Sequence, residues 1–139
     1  MRSQTLFVAS LCVAIGLAVV PAHSQRGGVQ ANIPCNFAVA GKTFPAGEYM
    51  MIAASHQVRV EAANGRIIAV VLANDISDGS AGVNGRIIFR CYGERCFLSE
   101  LWSPNQENGR RLLTSRTEAE LAKEERGKYL AVLGEKPGQ

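Results

Sequence analysis

At 139 residues, 47% hydrophobic and 19% charged, the chain has the composition of one globular domain and not of a disordered segment. Its formal charge is +3, or +2 once Arg2 is set aside (14 basic residues against 12 acidic). A balance that even gives no electrostatic footprint for nucleic acid or for an anionic membrane.

Residues 1–24 read as a secretory signal peptide. A short start carrying Arg2 precedes an apolar run from Leu6 to Val20, and Ala22-His23-Ser24 supplies a small-x-small cleavage site. The run falls short of the roughly 20 residues a spanning helix needs, and no second apolar segment follows it. Cys12 leaves with the leader. Leu11 stands before it where a lipoprotein site needs a small residue, which argues against a lipid anchor. The expected product is one mainly-β domain over residues 25–139, periplasmic or secreted, with no membrane span.

From Val29 onward short apolar or alternating runs are broken by turn signals, the pattern of an all-β domain. Residues 29–40 read as a strand bent at Pro34, since proline cannot donate to a ladder. Gly41-Lys42 and Pro45-Ala46-Gly47 are turns, and residues 48–53 a second strand. Asn64-Gly65 is the dipeptide of a type I′ hairpin. A two-residue loop there would pair Ala62 with Ile67, Val60 with Ala69 and Val58 with Val71, giving one apolar face. Residues 73–85 read as a long polar loop. Asn-Gly-Arg-Ile-Ile then recurs at 84–88, as at 64–68. Two copies are too few for a repeat architecture.

Residues 86–91 and 96–102 form the next hairpin, around Gly93-Glu94. A short strand follows near 110–113. Ser115-x-x-Glu118 is a capping box opening a helix of about ten residues, which Gly127 would stop. Residues 129–133 favour a last strand over a helical continuation. The fold expected is an antiparallel β-sandwich or partly closed barrel with one short C-terminal helix.

The cysteines are the main chemical feature. Export implies an oxidising compartment, where disulfides persist. Gly93 suits the first loop position of a type II′ turn, which sets Cys91 opposite Cys96 on a non-hydrogen-bonded rung. Cα atoms approach to about 4.5 Å there, within the roughly 4.4–6.8 Å span of disulfides. The pair would point inward beside Phe89 and Leu98, with Glu100 an anomaly on the same face and Trp102 placed in the core. Cys35 would remain an unpaired thiol, although three cysteines also admit a bridge to Cys35 or none. Zinc would need about four ligands, and a redox dithiol usually shows Cys-x-x-Cys. Neither pattern is present, so no metal and no cofactor is expected.

The remaining candidates read as structural. His56 looks like an exposed turn residue with no Gly-x-Ser-x-Gly to accompany it. Asp75 and Asp78 lie in the polar loop without calcium-loop spacing. Glu94, Glu100 and Glu107 show no acid–base pairing.

Three stretches, IPCNFAVAGKTFPAGEYMM (33–51), FRCYGERCFLSELW (89–102) and GRRLLTSRTEAELAKE (109–124), together resemble a family of short, exported, uncharacterised proteins of soil-dwelling Gram-negative bacteria. That family carries an Ile-Pro-Phe strand, a Pro-Ala-Gly-x-Tyr turn, a Phe-Leu-x-x-x-Trp strand and a Ser-x-x-Glu-x-Glu-x-Ala helix. Cys35 here replaces its usual aromatic. The resemblance implies export and a β fold, and it transfers no functional residue. No catalytic residue is assigned. The function expected is a non-catalytic envelope or secreted module that binds a protein, glycan or small ligand, or assembles with itself. The alternative is a small secreted hydrolase or thiol-dependent enzyme.

Overall fold

The computed structural model describes residues 28–77 and 82–135. The leader read over residues 1–24, Cys12 and Asp78 lie outside them. The described residues form ten strands and one helix: β1 (Gly28–Ile33), β2 (Phe37–Val39), β3 (Lys42–Phe44), β4 (Gly47–Ala54), β5 (Gln57–Ala62), β6 (Ile67–Ser77), β7 (Arg86–Tyr92), β8 (Arg95–Trp102), β9 (Asn108–Leu112), α1 (Arg116–Glu124) and β10 (Lys128–Leu133).

The sheet runs β1-β4-β5-β6-β9-β8, and β8 carries β7 and then β10 on one edge and β2-β3 on the other. It wraps around one core without closing. Between β10 and β1 a single backbone bond, Glu135 N–H to the Gln30 carbonyl at 2.8 Å, spans the last gap. This is a mainly-β sandwich or open barrel with one C-terminal helix, as the composition and periodicity predict. One pairing departs from the antiparallel pattern: β2 lies parallel to β8, Phe37 opposite Cys96 and Ala38 opposite Phe97.

Pro34 does more than bend one strand. It ends β1, whose inward Val29, Ala31 and Ile33 face the core while the chain pairs with β4. After Pro34, Cys35 and Asn36, β2 pairs with β3 and β8 instead. Phe37 therefore sits at the centre, its ring 5.9 Å from Phe44, 5.0 Å from Tyr49 and 5.4 Å from Phe89. The Pro45-Ala46-Gly47-Glu48-Tyr49 turn has a matching logic. The Tyr49 ring meets Phe37 edge-on while its hydroxyl donates to the Pro45 carbonyl at 2.6 Å.

The Asn64-Gly65 hairpin is a three-residue loop and not a two-residue type I′ turn. Gly65 N–H donates to the Ala62 carbonyl, Ala62 N–H to that of Arg66, and Gly65 alone takes a positive φ of 84°. A type I turn ending on a left-handed glycine is the other common hairpin solution. The added loop residue is offset by a bulge at Ile68, because Glu61 faces Ile67 while Val60 still faces Ala69. The predicted register thus survives past the bulge, but Ile67 is turned outward and stands 52% exposed.

A true type I′ turn occurs in the β2–β3 hairpin, two hairpins earlier. Ala40 and Gly41, between paired Val39 and Lys42, both have positive φ, 53° and 75°. An alanine there is strained by about 1–2 kcal/mol. Ala40→Asn, which restores the favoured Asn-Gly pair, is expected to raise stability by about 1 kcal/mol, read as a higher urea midpoint at unchanged slope.

Residues 73–77, expected in a loop, continue β6. Their ladder partner is β9, from Ala73 opposite Leu112 to Ser77 opposite Asn108. Polar composition misleads here because this end of β6 is held by pairing and by charge. Arg110 reaches inward to Asp75 at 3.3 Å and donates to the Ala54 carbonyl at 3.0 Å, tying β9 to the end of β4.

The helix begins as the capping box predicts, with Ser115 Oγ accepting from Glu118 N–H at 3.1 Å. Its end differs from the expectation. Glu125, in extended conformation, caps it, and Gly127 serves instead to let the chain cross Arg90 and Tyr92. A Cβ on Gly127 would stand 2.8 Å from Arg90 Cγ and 3.0 Å from the Tyr92 ring. That crossing delivers β10 to β7, so residues 129–133 are a strand.

Candidate functional site

The β7–β8 hairpin places the cysteines as the turn chemistry requires. Tyr92 pairs with Arg95 and Cys91 with Cys96, and Gly93 takes a φ of 60° in the loop. The two sulfurs lie at disulfide distance, 2.09 Å, with Cα atoms 4.0 Å apart. Both cysteines pack against the core cluster, and Cys35, half-buried and free, packs against it too. Burial pushes the Cys35 thiol above its usual pKa, which leaves it a weak nucleophile near neutrality. A Cys pair at this distance is compatible with an oxidising, exported compartment. Closing so short a loop contributes only about 2 kcal/mol. The double variant Cys91→Ser/Cys96→Ser is expected to lower stability by about that amount and to remain folded, measured by urea unfolding against the unreduced parent.

A second bulge explains the Glu100 anomaly. Phe89 faces Leu98 but Ile88 faces Glu100, so Ser99 is the extra residue on β8. Beyond it every side chain changes face. Leu101 becomes fully buried in the core, and Glu100 and Trp102 move to the outer surface. Trp102 is still buried, but against Gly109 and beneath the Arg86 guanidinium, 4.7 Å from its ring. Its Nε1 donates to Glu100 at 3.0 Å, and Arg111 donates two bonds to the other Glu100 oxygen. Glu100 is thus a structural ion-pair acceptor.

The other sequence candidates are dispersed. His56 is an exposed residue of the β4–β5 turn with a φ of 57°. Asp75 is engaged by Arg110, Glu94 lies at the β7–β8 tip, and the Glu107 carbonyl accepts from Ser77. Among the described residues no cluster of three or more His, Cys, Asp or Glu is placed to hold a metal ion, and no helix is long and apolar enough to cross a membrane.

A feature invisible in the sequence emerges where strands meet. β2 and β9 share one edge of β8 and run toward each other along it, β2 beside Cys96 and Phe97, β9 beside Trp102 back to Glu100. Both must leave before they collide. β2 turns back through Ala40-Gly41, and β9 departs through Leu113 and Thr114 into the Ser115 cap. The split leaves a half-open cavity of about 320 Å³. Val71, Phe97, Leu98 and Leu112 form apolar parts of its lining, and Thr43, Thr114, Ser115, Thr117, Arg95 and Glu118 supply polar ones. The strained Ala40 lies in its wall.

Two charges line this cavity and differ in environment. Glu118 is the one buried residue of α1, 5% exposed. It does not return a bond to the Ser115 N–H. Burial raises its carboxyl pKa, and the Arg90 charge opposes that rise. Arg95 is exposed, with its guanidinium 5.7 Å from the Phe97 ring centre. Neither stands out in the sequence, where Glu118 reads as a capping residue and Arg95 is one position of the β7–β8 hairpin, opposite Tyr92.

Because the folded-state pKa of Glu118 is raised, the folded chain binds more protons than the unfolded one over the window above the ordinary carboxylate value. Stability therefore falls as pH rises through that window. Glu118→Gln is expected to flatten this dependence and to be the more stable form at neutral pH, checked by thermal unfolding across the window. The chain matches no protein-family model, no curated protein and no solved structure.

Proposed function

We propose that the protein is an exported, non-catalytic module that binds a small ligand in the cavity between the β2–β3 hairpin and the start of α1. The observation that carries this reading is the cavity itself: a sheet split with an apolar floor, a polar rim and a strained turn in its wall. Its volume is at the lower end of the range for ligand sites, and backbone strain concentrates where function requires it. The hydroxyl of Ser115 is already engaged as a helix cap, and His56, at the β4–β5 turn with its carbonyl accepting from Ala73 N–H, does not line the cavity, so the hydrolase reading has no serine–histidine pair to rest on there. The leader pattern and the family resemblance support export.

The test is a two-dimensional NMR screen of the isotope-labelled chain lacking residues 1–24 against a library of small metabolites. Saturable shifts clustered on residues 38–43, 95–98 and 112–118 are expected. Binders that leave those residues unmoved, or conversion of a library member, would overturn the reading.

A further inference from the structure

Which ligands suit the cavity follows from its charges and floor. Glu118 is buried, and burial pushes its carboxyl toward the neutral form more than the Arg90 charge opposes it, so it is not the charge that would fix a ligand head. Arg95 differs. It has no carboxylate within ion-pair reach among the described residues, and its one resolved partner is the Phe97 ring. A guanidinium laid over an aromatic ring keeps its N–H edge free, and that planar fork fits a carboxylate with two parallel bonds. Beside it the lining turns apolar at Phe97, Val71 and Leu112. Leu113, also in the wall, stands 53% exposed and extends this apolar surface.

We infer that the ligand is a small organic anion, a carboxylate on an apolar body of medium length, with Arg95 binding the head and the Val71–Leu112 floor taking the body. This rests on the proposed binding role of the cavity and narrows it to one chemical class. The Cys91–Cys96 pair acquires a place in it: Arg95 adjoins Cys96 on the hairpin tip that the pair closes, so the bridge holds the head-binding residue in position.

Octanoate, octyltrimethylammonium and octanol share a chain length and differ in head charge, so they serve as probes. Titrated into the protein lacking residues 1–24 and followed by NMR, octanoate is expected to give saturable shifts at Arg95 and at residues 112–118. Arg95→Gln should weaken that binding by at least about tenfold, the loss expected for a charged hydrogen-bond partner. The neighbouring Arg116→Gln should leave it unchanged. Both residues are exposed, so neither change should move the melting temperature. Equal binding of octanol or octyltrimethylammonium at the same residues would overturn the anion assignment and leave the cavity as a binding site. Indifference of octanoate binding to Arg95→Gln would do the same. Absence of octanoate shifts at the cavity overturns the inference too. The broader reading then falls only if the full metabolite screen also leaves those residues unmoved.

Discussion

Phe37→Ala is expected to lower the stability of the fold by about 3–5 kcal/mol, the usual cost of deleting a fully buried phenylalanine. Phe37 is 1% exposed, and its ring touches three others carried by β3, β4 and β7. The surrounding backbone belongs to ladders on both sides of the core, so it cannot collapse readily into the vacated space. The effect is also local. β2 is three residues long and holds β8 through only two paired positions, so Phe37 is its principal anchor. Its loss should loosen the β2–β3 hairpin, which forms one wall of the cavity. Urea unfolding would show the loss, and hydrogen exchange would show faster exchange at Ala38 and Val39. Phe44→Ala, at a half-buried position on β3, should cost clearly less. Since small domains are stable by roughly 5–15 kcal/mol in all, Phe37→Ala is expected to populate unfolded chain on mild heating.

Gly85→Ala should follow in size, at about 2–4 kcal/mol, and Gly65→Ala should cost only about 1 kcal/mol. Both glycines have positive φ, 73° and 84°, so each alanine bears the left-handed penalty. Only at Gly85 is the space occupied. A Cβ there would stand 2.8 Å from the Trp102 carbonyl oxygen and 2.9 Å from Val29, while at Gly65 nothing lies within 4 Å. The Gly85 carbonyl also accepts from Gly134 N–H at 3.2 Å, near the point where β10 and β1 come together. Displacing it disturbs the junction of both ends of the sheet. Thermal unfolding of the two variants side by side isolates the packing contribution, because the backbone strain is common to both.

What could be read from the sequence alone was what neighbouring residues decide. The Cys91–Cys96 rung was legible because a two-residue loop at Gly93-Glu94 leaves no other register for the positions beside it. The strand at 129–133 and the Ser115 cap were legible for the same reason. The side chains past the bulges were not. Ser99 and Ile68 each shift one strand by one residue, and a one-residue shift moves every later side chain to the other face. Trp102 was therefore assigned to the core when it lies on the outer surface beneath Arg86, and Ile67 was assigned to the core when it faces out. Residues 73–77 were taken for a loop because nothing local marks β9, 30 or more residues later, as their partner. The candidate site was the least legible part. It arises from two strands converging on one edge of β8, and no stretch of sequence contains both.

The two copies of Asn-Gly-Arg-Ile-Ile separate the contributions. In both, the sequence by itself determined a glycine in left-handed backbone followed by a strand, since those preferences belong to the residues. Tertiary structure alone decided that Ile67 would be 52% exposed and Ile87 fully buried, and that Gly65 would stand free while Gly85 is enclosed. Burial depends on which distant strand lies alongside, and five identical residues carry no information about that neighbour.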